Sequence, residues 1–402
     1  MKVLHQITWL AVLLAAMLPL ACGGSGGGSL TAGGGIDGSG IISQGPITSY
    51  GSIVVNGTEF DTTQADVIVD DELVGTGDQA VRDHLKIGMV VTAEGRGSAN
   101  ETDLVAERVI YHESLHGPVA DIRSIDAVTK VVSVLGQEVR INGVTKFQDT
   151  SFESLALDDV ISVSGLFDDQ GVIWATFLQR TGSVVTGETY EVTGSVTNLD
   201  TTLASFQING LQVDYAQAVF VDLLPEDLTE GLRIEVEGTL DADNDTLQAT
   251  TILPGDALDD EDADVIEVVG FVTSRVAIDE FTVGSQVVQI ASDAVFVDGT
   301  PDDLVLGAKV EASGRLEGGI LKADEIEFWG LNQIELEGLI TDFVSASEFT
   351  LGSQAVRTDA HTVFDNCTAE DLGRGVWIEV KGVPVDIGRT ILLADKVSFE
   401  ED

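Results

Sequence analysis

His112, Glu113 and His116 stand in the order H-E-x-x-H within "YHESLHGP", residues 111–118. On a helix, residues four apart share one face, so two imidazoles could hold one zinc ion while the Glu113 carboxylate polarises a bound water. In an extended chain the same four steps span roughly 13 Å, too far for one ion whose nitrogen ligands sit at about 2 Å. The backbone therefore decides the chemistry. Gly117-Pro118 would stop a helix at once, and neither flank has a helical apolar period. The stretch reads as a junction between two strands, which makes zinc binding by His112 and His116 the disfavoured alternative.

Asp241, Asp243 and Asp245 in "LDADNDTLQA" have the spacing of the first three ligands of a calcium loop. Thr246 stands where that loop needs glycine and Ile252 where it needs glutamate. The segment also falls on a hairpin between two strands, where polar residues belong anyway, so calcium is a weak candidate. The remaining histidines of the body, His84 and His361, complete no Ser/His/Asp arrangement. No phosphate-cradling glycine loop precedes a helix. No catalytic residue and no resident cofactor are expected.

These candidates sit in a chain of 402 residues with 20 Lys+Arg, 68 Asp+Glu and a formal charge of −48. Nucleic-acid binding needs clustered cations that release counterions from phosphate, and such a charge excludes it. A carbohydrate, protein or divalent-cation ligand remains compatible. With 44% hydrophobic residues and 44 Gly against 7 Pro, the chain supports real cores and many turns.

Residues 1–21 carry one Lys and then an apolar run, Ile7 to Leu20, too short for a comfortable membrane span. The run ends in "LPLAC", which resembles the bacterial lipobox with Pro19 where Leu is usual. That resemblance implies cleavage before Cys22, its lipidation, and, with Gly23 following, the outer membrane. "GGSGGGSLTAGGG" after Cys22 is a flexible tether. A lipidated Cys22 leaves Cys367 without a disulfide partner, as an incidental buried thiol.

The rest is one phrase said five times. Gly45, Gly117, Gly194, Gly270 and Gly338 open the copies at separations of 72, 77, 76 and 68 residues. Gly95, Gly165, Gly238, Gly314 and Gly382 recur later in each copy, and copy one carries an insertion from about Val69 to His84. In "VIEVVGFVT", Ile266, Val268, Gly270 and Val272 share one face at strand period, with space at the glycine for a bend or a crossing strand. "FQINGLQV" and "FTVGSQVV" read as tight hairpins. Between the third and fourth strands, "TPDDL" offers Thr300 as a cap and Pro301 at the first position of a one-turn helix, and Leu228, Leu304 and Leu372 should point into cores. Copy two keeps Leu155 but has Asp158 in place of the following glycine.

Three strands, a short helix and two strands make an all-β unit like the oligonucleotide/oligosaccharide-binding (OB) barrel, in a tandem array of about five. The units are residues 45–115, 116–186, 187–255, 265–332 and 333–402, after a signal at 1–21 and a tether at 22–44, with an acidic linker at 256–264. "GPITSYGSIVVNGTEF", "VVTAEG", "GPVADI" and "IEVEGTLDADNDTLQATTI" resemble the bacterial domain-of-unknown-function family five-six-six-six. That resemblance implies exported repeats and assigns no activity. The expectation is a lipid-anchored, non-catalytic binding or spacer protein of the envelope. The alternatives are a calcium-dependent adhesion or envelope protein and an extracytoplasmic hydrolase of metalloprotease-like type.

Overall fold

The structure, a computed structural model, describes residues 39–49, 52–97, 104–241, 246–255, 258, 263–352, 354–385 and 391–399. Cys22, its signal and most of its tether, and most of the acidic linker, lie outside the described residues.

Copy four shows the unit plainly. Its strands are Ala263–Arg275, Glu280–Val283, Gln286–Val297, Lys309–Glu317 and Ile320–Trp329. The first pairs antiparallel with the second and the fourth, the second with the third, and the fourth with the fifth. The third runs parallel to the fifth and closes the barrel in the OB order. The same circuit runs through copies one, two and five. In copy three the first strand breaks at Val196 into Thr189–Ser195 and Thr197–Asp200. Ile266, Val268 and Val272 are buried on the inward face, as the alternation requires.

The repeated glycines mark two close approaches. A Cβ on Gly194 would meet Ile208 Cγ2 at 2.4 Å, and one on Gly270 would meet Val283 Cγ1 at 2.8 Å, because a side chain of the hairpin crosses the first strand there. At the later glycine the ladder between the fourth and fifth strands shifts register in all five copies. A Cβ on Gly314 would lie 2.0 Å from Lys322 O, and one on Gly238 would lie 2.3 Å from Gln248 O. This is a β-bulge that bends the barrel wall.

The hairpin at Asn209-Gly210 has φ 46° and 94°, as a type I′ turn demands, and Gly284 has φ 58°. The segment before the fourth strand varies between copies. Pro225–Asp227 and Pro301–Asp303 are three-residue 3₁₀ turns, copies two and five have turns without a helix, and copy one has an α-helix, Gly77–His84. In copy four the Asp303 carboxylate accepts from Thr300 N at 2.9 Å and Oγ1 at 2.7 Å. Leu155, Leu228, Leu304 and Leu372 are all buried below these turns. Asp158 adopts φ 65°, the left-handed backbone that Gly231, Gly307 and Gly375 supply in the other copies. The insertion in copy one is a strand, Glu72–Thr76, followed by the helix.

The copies are joined, and not in simple sequence order. Gly40–Gln44 of the first strand of copy one pairs parallel with Ala263–Val268 of copy four. Copies two and three meet antiparallel, Leu115 opposite Val192 and His116 opposite Glu191. They share one continuous core. Leu166, Val269 and Phe271, with Val90 and Trp174 against them, form a small core where copies one, two and four meet. No helix among the described residues is long and apolar enough to cross a membrane.

Candidate functional site

Inward residues of the first and fourth strands fill the barrels, so their outward residues meet other copies. Three residues before the opening glycine stand Glu191, Glu267 and Glu335, and three before the later glycine stand Glu235, Glu311 and Glu379. The position just before the later glycine is Glu237, Ser313 and Lys381 in the same three copies. Cross-strand pairing sets Glu191 against Glu237, Glu267 against Ser313, and Glu335 against Lys381. Two buried polar seams result.

The first seam contains the H-E-x-x-H stretch. His112 and Glu113 lie between strands, and His116 lies in the strand Leu115–Ser124, so no helix brings the imidazoles onto one face. His112 sits 3.9 Å from Asp71 of copy one and 3.8 Å from Glu235 of copy three. The Glu113 amide donates to Asp70 Oδ1 at 3.0 Å. His116 Nε2 is 3.1 Å from Thr181 Oγ1, and its ring meets Tyr190 edge-on. Glu191 is 7% exposed, and among the described residues its Oε1 has no hydrogen-bond partner. Burial, reinforced by neighbouring carboxylates, pushes Glu113 and Glu191 well above the usual carboxylate range. Burial also raises Asp70, against the opposing pull of the Glu113 amide and His112, and lowers His116. The stretch is a bracket between copies one, two and three.

The second seam joins copies four and five and has a cation at its centre. Lys381 is bonded to Glu327, lies 3.0 Å from Glu335 Oε2 and 3.9 Å from Glu379 Oε1, and its side chain is 9% exposed. Burial works against its ammonium, but Glu335 and Glu327 more than offset that and hold its pKa above the ordinary lysine value. Glu335 is pushed up to about 8 by burial and Glu379, despite Lys381. The Trp329 ring has Lys309 Nζ 5.1 Å and Lys381 Nζ 4.9 Å from its centroid. Burial lowers Lys309 to about 8, and its Nζ lies 3.4 Å from Gln333 O. Glu267 bridges copies one and four, accepting from Ser43 at 3.0 Å and Thr58 at 2.9 Å.

Beside the second seam, copies one, two, four and five enclose a cleft with about 730 Å³ of free space, part of it open to solvent. Ile47, Ile87, Leu166, Val269, Ile334 and Leu336 line it, with Lys146, Lys309, Trp329 and Glu335 as polar or amphipathic neighbours. This is the combination of a mainly apolar concavity and a few polar groups that small-molecule sites share.

The other residues singled out by sequence are dispersed. Asp241 ends the strand Arg233–Asp241, while Asp243 and Asp245 lie outside the described residues. Among the described residues, no group of three or more His, Cys, Asp or Glu is placed to hold a metal ion. His84 ends the inserted helix and His361 is exposed, far apart in the repeat plan. Cys367 is half-buried rather than buried, with Sγ 3.4 Å from Val397 O, because it packs at the margin of the copy-five core. Sequence reasoning missed Lys309, Lys381, Trp329 and Glu335. The signal for Lys381 was present in "IEVKG", 378–382, where copy three has "IEVEG", 234–238.

A family model described as "Domain of unknown function (DUF5666)" matches residues 39–110, 116–179, 193–252, 269–327 and 337–397. A search of curated proteins finds no match. Among solved structures, one described as "drosophila Unr CSD456" is 14% identical, covering 54% of this chain and 99% of that one at a TM-score of 0.13. At that score the likeness carries no argument.

Proposed function

The chain belongs to the DUF5666 family, and from that premise we propose that it is a non-catalytic binding protein of the bacterial cell envelope, held to the outer membrane by a lipid on Cys22. The observation that carries the binding role is the cleft shared by four copies. A spacer needs only end-to-end contacts, whereas here four barrels surround one concavity. The extended path at His112–His116 supports binding over metal-assisted hydrolysis. The lipid anchor rests on the "LPLAC" sequence alone.

The test is a thermal melt of the purified protein with and without calcium, EDTA and a panel of cell-wall glycans and small amphiphiles. A ligand of the folded state alone raises the transition by mass action. A binding protein shows a concentration-dependent rise with at least one of them, and no rise with any ligand returns the spacer reading. Labelling with a radioactive fatty acid, lost in Cys22→Ala, tests the anchor.

A further inference from the structure

We infer that the cleft between copies one, two, four and five takes a small amphiphile with an aliphatic body and a single carboxylate head, seated against Lys309 and Trp329. The inference rests on the binding role and names the ligand class. The walls formed by Ile47, Ile87, Leu166, Val269, Ile334 and Leu336 are aliphatic. The lining hydroxyls of Thr48 and Thr176 already donate to Val54 O at 3.3 Å and Ser164 O at 3.1 Å. A sugar entering there would leave many of its own hydroxyls unpaired against hydrocarbon, which is costly, while an alkyl chain would lose nothing.

One end of the cleft has donors to spare. Trp329 lines the cleft, and among the described residues its buried Nε1 has no acceptor. Lys309 Nζ makes a long hydrogen bond to Gln333 O at 3.4 Å. Among the described residues it forms none of the close ion pairs that hold Lys381. The one acid on the lining, Glu335, is already engaged by Lys381 at 3.0 Å. A carboxylate offers two acceptor oxygens and one negative charge, which matches one ammonium and one indole N–H. A phosphate monoester brings about −1.5 to −2 charges, more than the Lys309 ammonium alone balances beside Glu335. The chain's overall charge of −48 disfavours anions everywhere except where a cation is held ready, as it is here.

Calorimetric titration with sodium decanoate below its micelle concentration, at pH 7, tests this. Decanoate should bind one to one and saturably, with decanol and decyl phosphate about tenfold weaker or worse. Lys309→Met should weaken decanoate about tenfold, Lys309→Arg should restore most of that, and Trp329→Phe, which keeps a ring but removes the N–H, should weaken it severalfold. Affinity should also fall as pH rises past about 8, where Lys309 loses its proton. That titration needs no variant, so it stands even if Lys309→Met fails to fold. Absence of saturable heat, equal binding by folded Lys309→Met, or equal affinity for decyl phosphate overturns the inference. If glycans or calcium raise the melt while decanoate gives no heat, the carboxylate falls and the binding role stands. If nothing in either panel binds, both fall.

Discussion

The seam at Glu191 and the seam at Lys381 occupy the same positions of the repeat and differ chiefly in one residue. In both, a glutamate on the first strand faces the residue just before the bulge glycine of the fourth strand. In copy three that partner is Glu237, and in copy five it is Lys381. The copy-five seam thus gathers Glu327, Glu335 and Glu379 around one ammonium. The copy-three seam stacks Glu191, Glu235 and Glu113 with His112 as its neighbouring base, and burial among like charges pushes Glu113 and Glu191 well above the usual carboxylate range. One repeat lattice therefore yields a joint built around an ammonium and a joint of carboxylates beside an imidazole.

The comparison is broken most sharply by Lys381→Met, which strands three carboxylates in a nearly buried site. The expected cost is about 3–5 kcal/mol in denaturant unfolding, since removing one partner of a buried ion cluster leaves uncompensated charge. The reciprocal change, Glu237→Lys, should make the first seam resemble the second and stabilise the protein at pH 8 by about 1–2 kcal/mol. Glu191→Gln should stabilise by about 1 kcal/mol at high pH and by progressively less as pH falls, because the buried native carboxyl holds its proton more tightly than the unfolded one.

The sign in the wild type follows from raised pKa values. Glu113, Glu191 and Glu335 bind protons more tightly when folded, so their contribution is full below about pH 4.5. It is lost as pH rises through their folded values, about 8 for Glu335. The melting temperature should therefore fall as pH rises from about 4.5 to about 8, and Glu191→Gln should flatten the fall. Smallest of all, Trp329→Leu should cost roughly 0.5 kcal/mol at the second seam through the ring lost between two ammonium groups. The same substitution should leave the pH slope of the first seam untouched.

Much of the fold was legible because glycine spacing and strand alternation answer to local sterics. A bulge that admits no Cβ and a hairpin that needs positive φ each leave a fixed mark in the sequence. His112 and His116 were assigned to a strand junction on the same grounds, and the structure places them there. The seams were harder to see. Glu191, Glu267 and Glu335 alternate with core residues as solvent-facing acids do, and nothing local says that another barrel covers them. The pairing of copy one with copy four left one mark, Ile42, where copies three to five carry glutamate, and it packs into the core of copy four. A lysine among acids reads as surface charge until a neighbouring copy buries it.

The parallel pairing of Gly40–Gln44 with Ala263–Val268 has a consequence for how the molecule is made. A chain emerging amino terminus first completes its second and third barrels while the edge of its first strand still lacks a partner, and that partner arrives only with the fourth copy. Until then the edge is a template for wrong pairings between nascent chains. Deleting a single copy between the two strands would shift which barrel arrives at that edge. The number and order of the repeats are therefore tied to safe assembly, and this protein is not free to gain or lose copies as an open solenoid can.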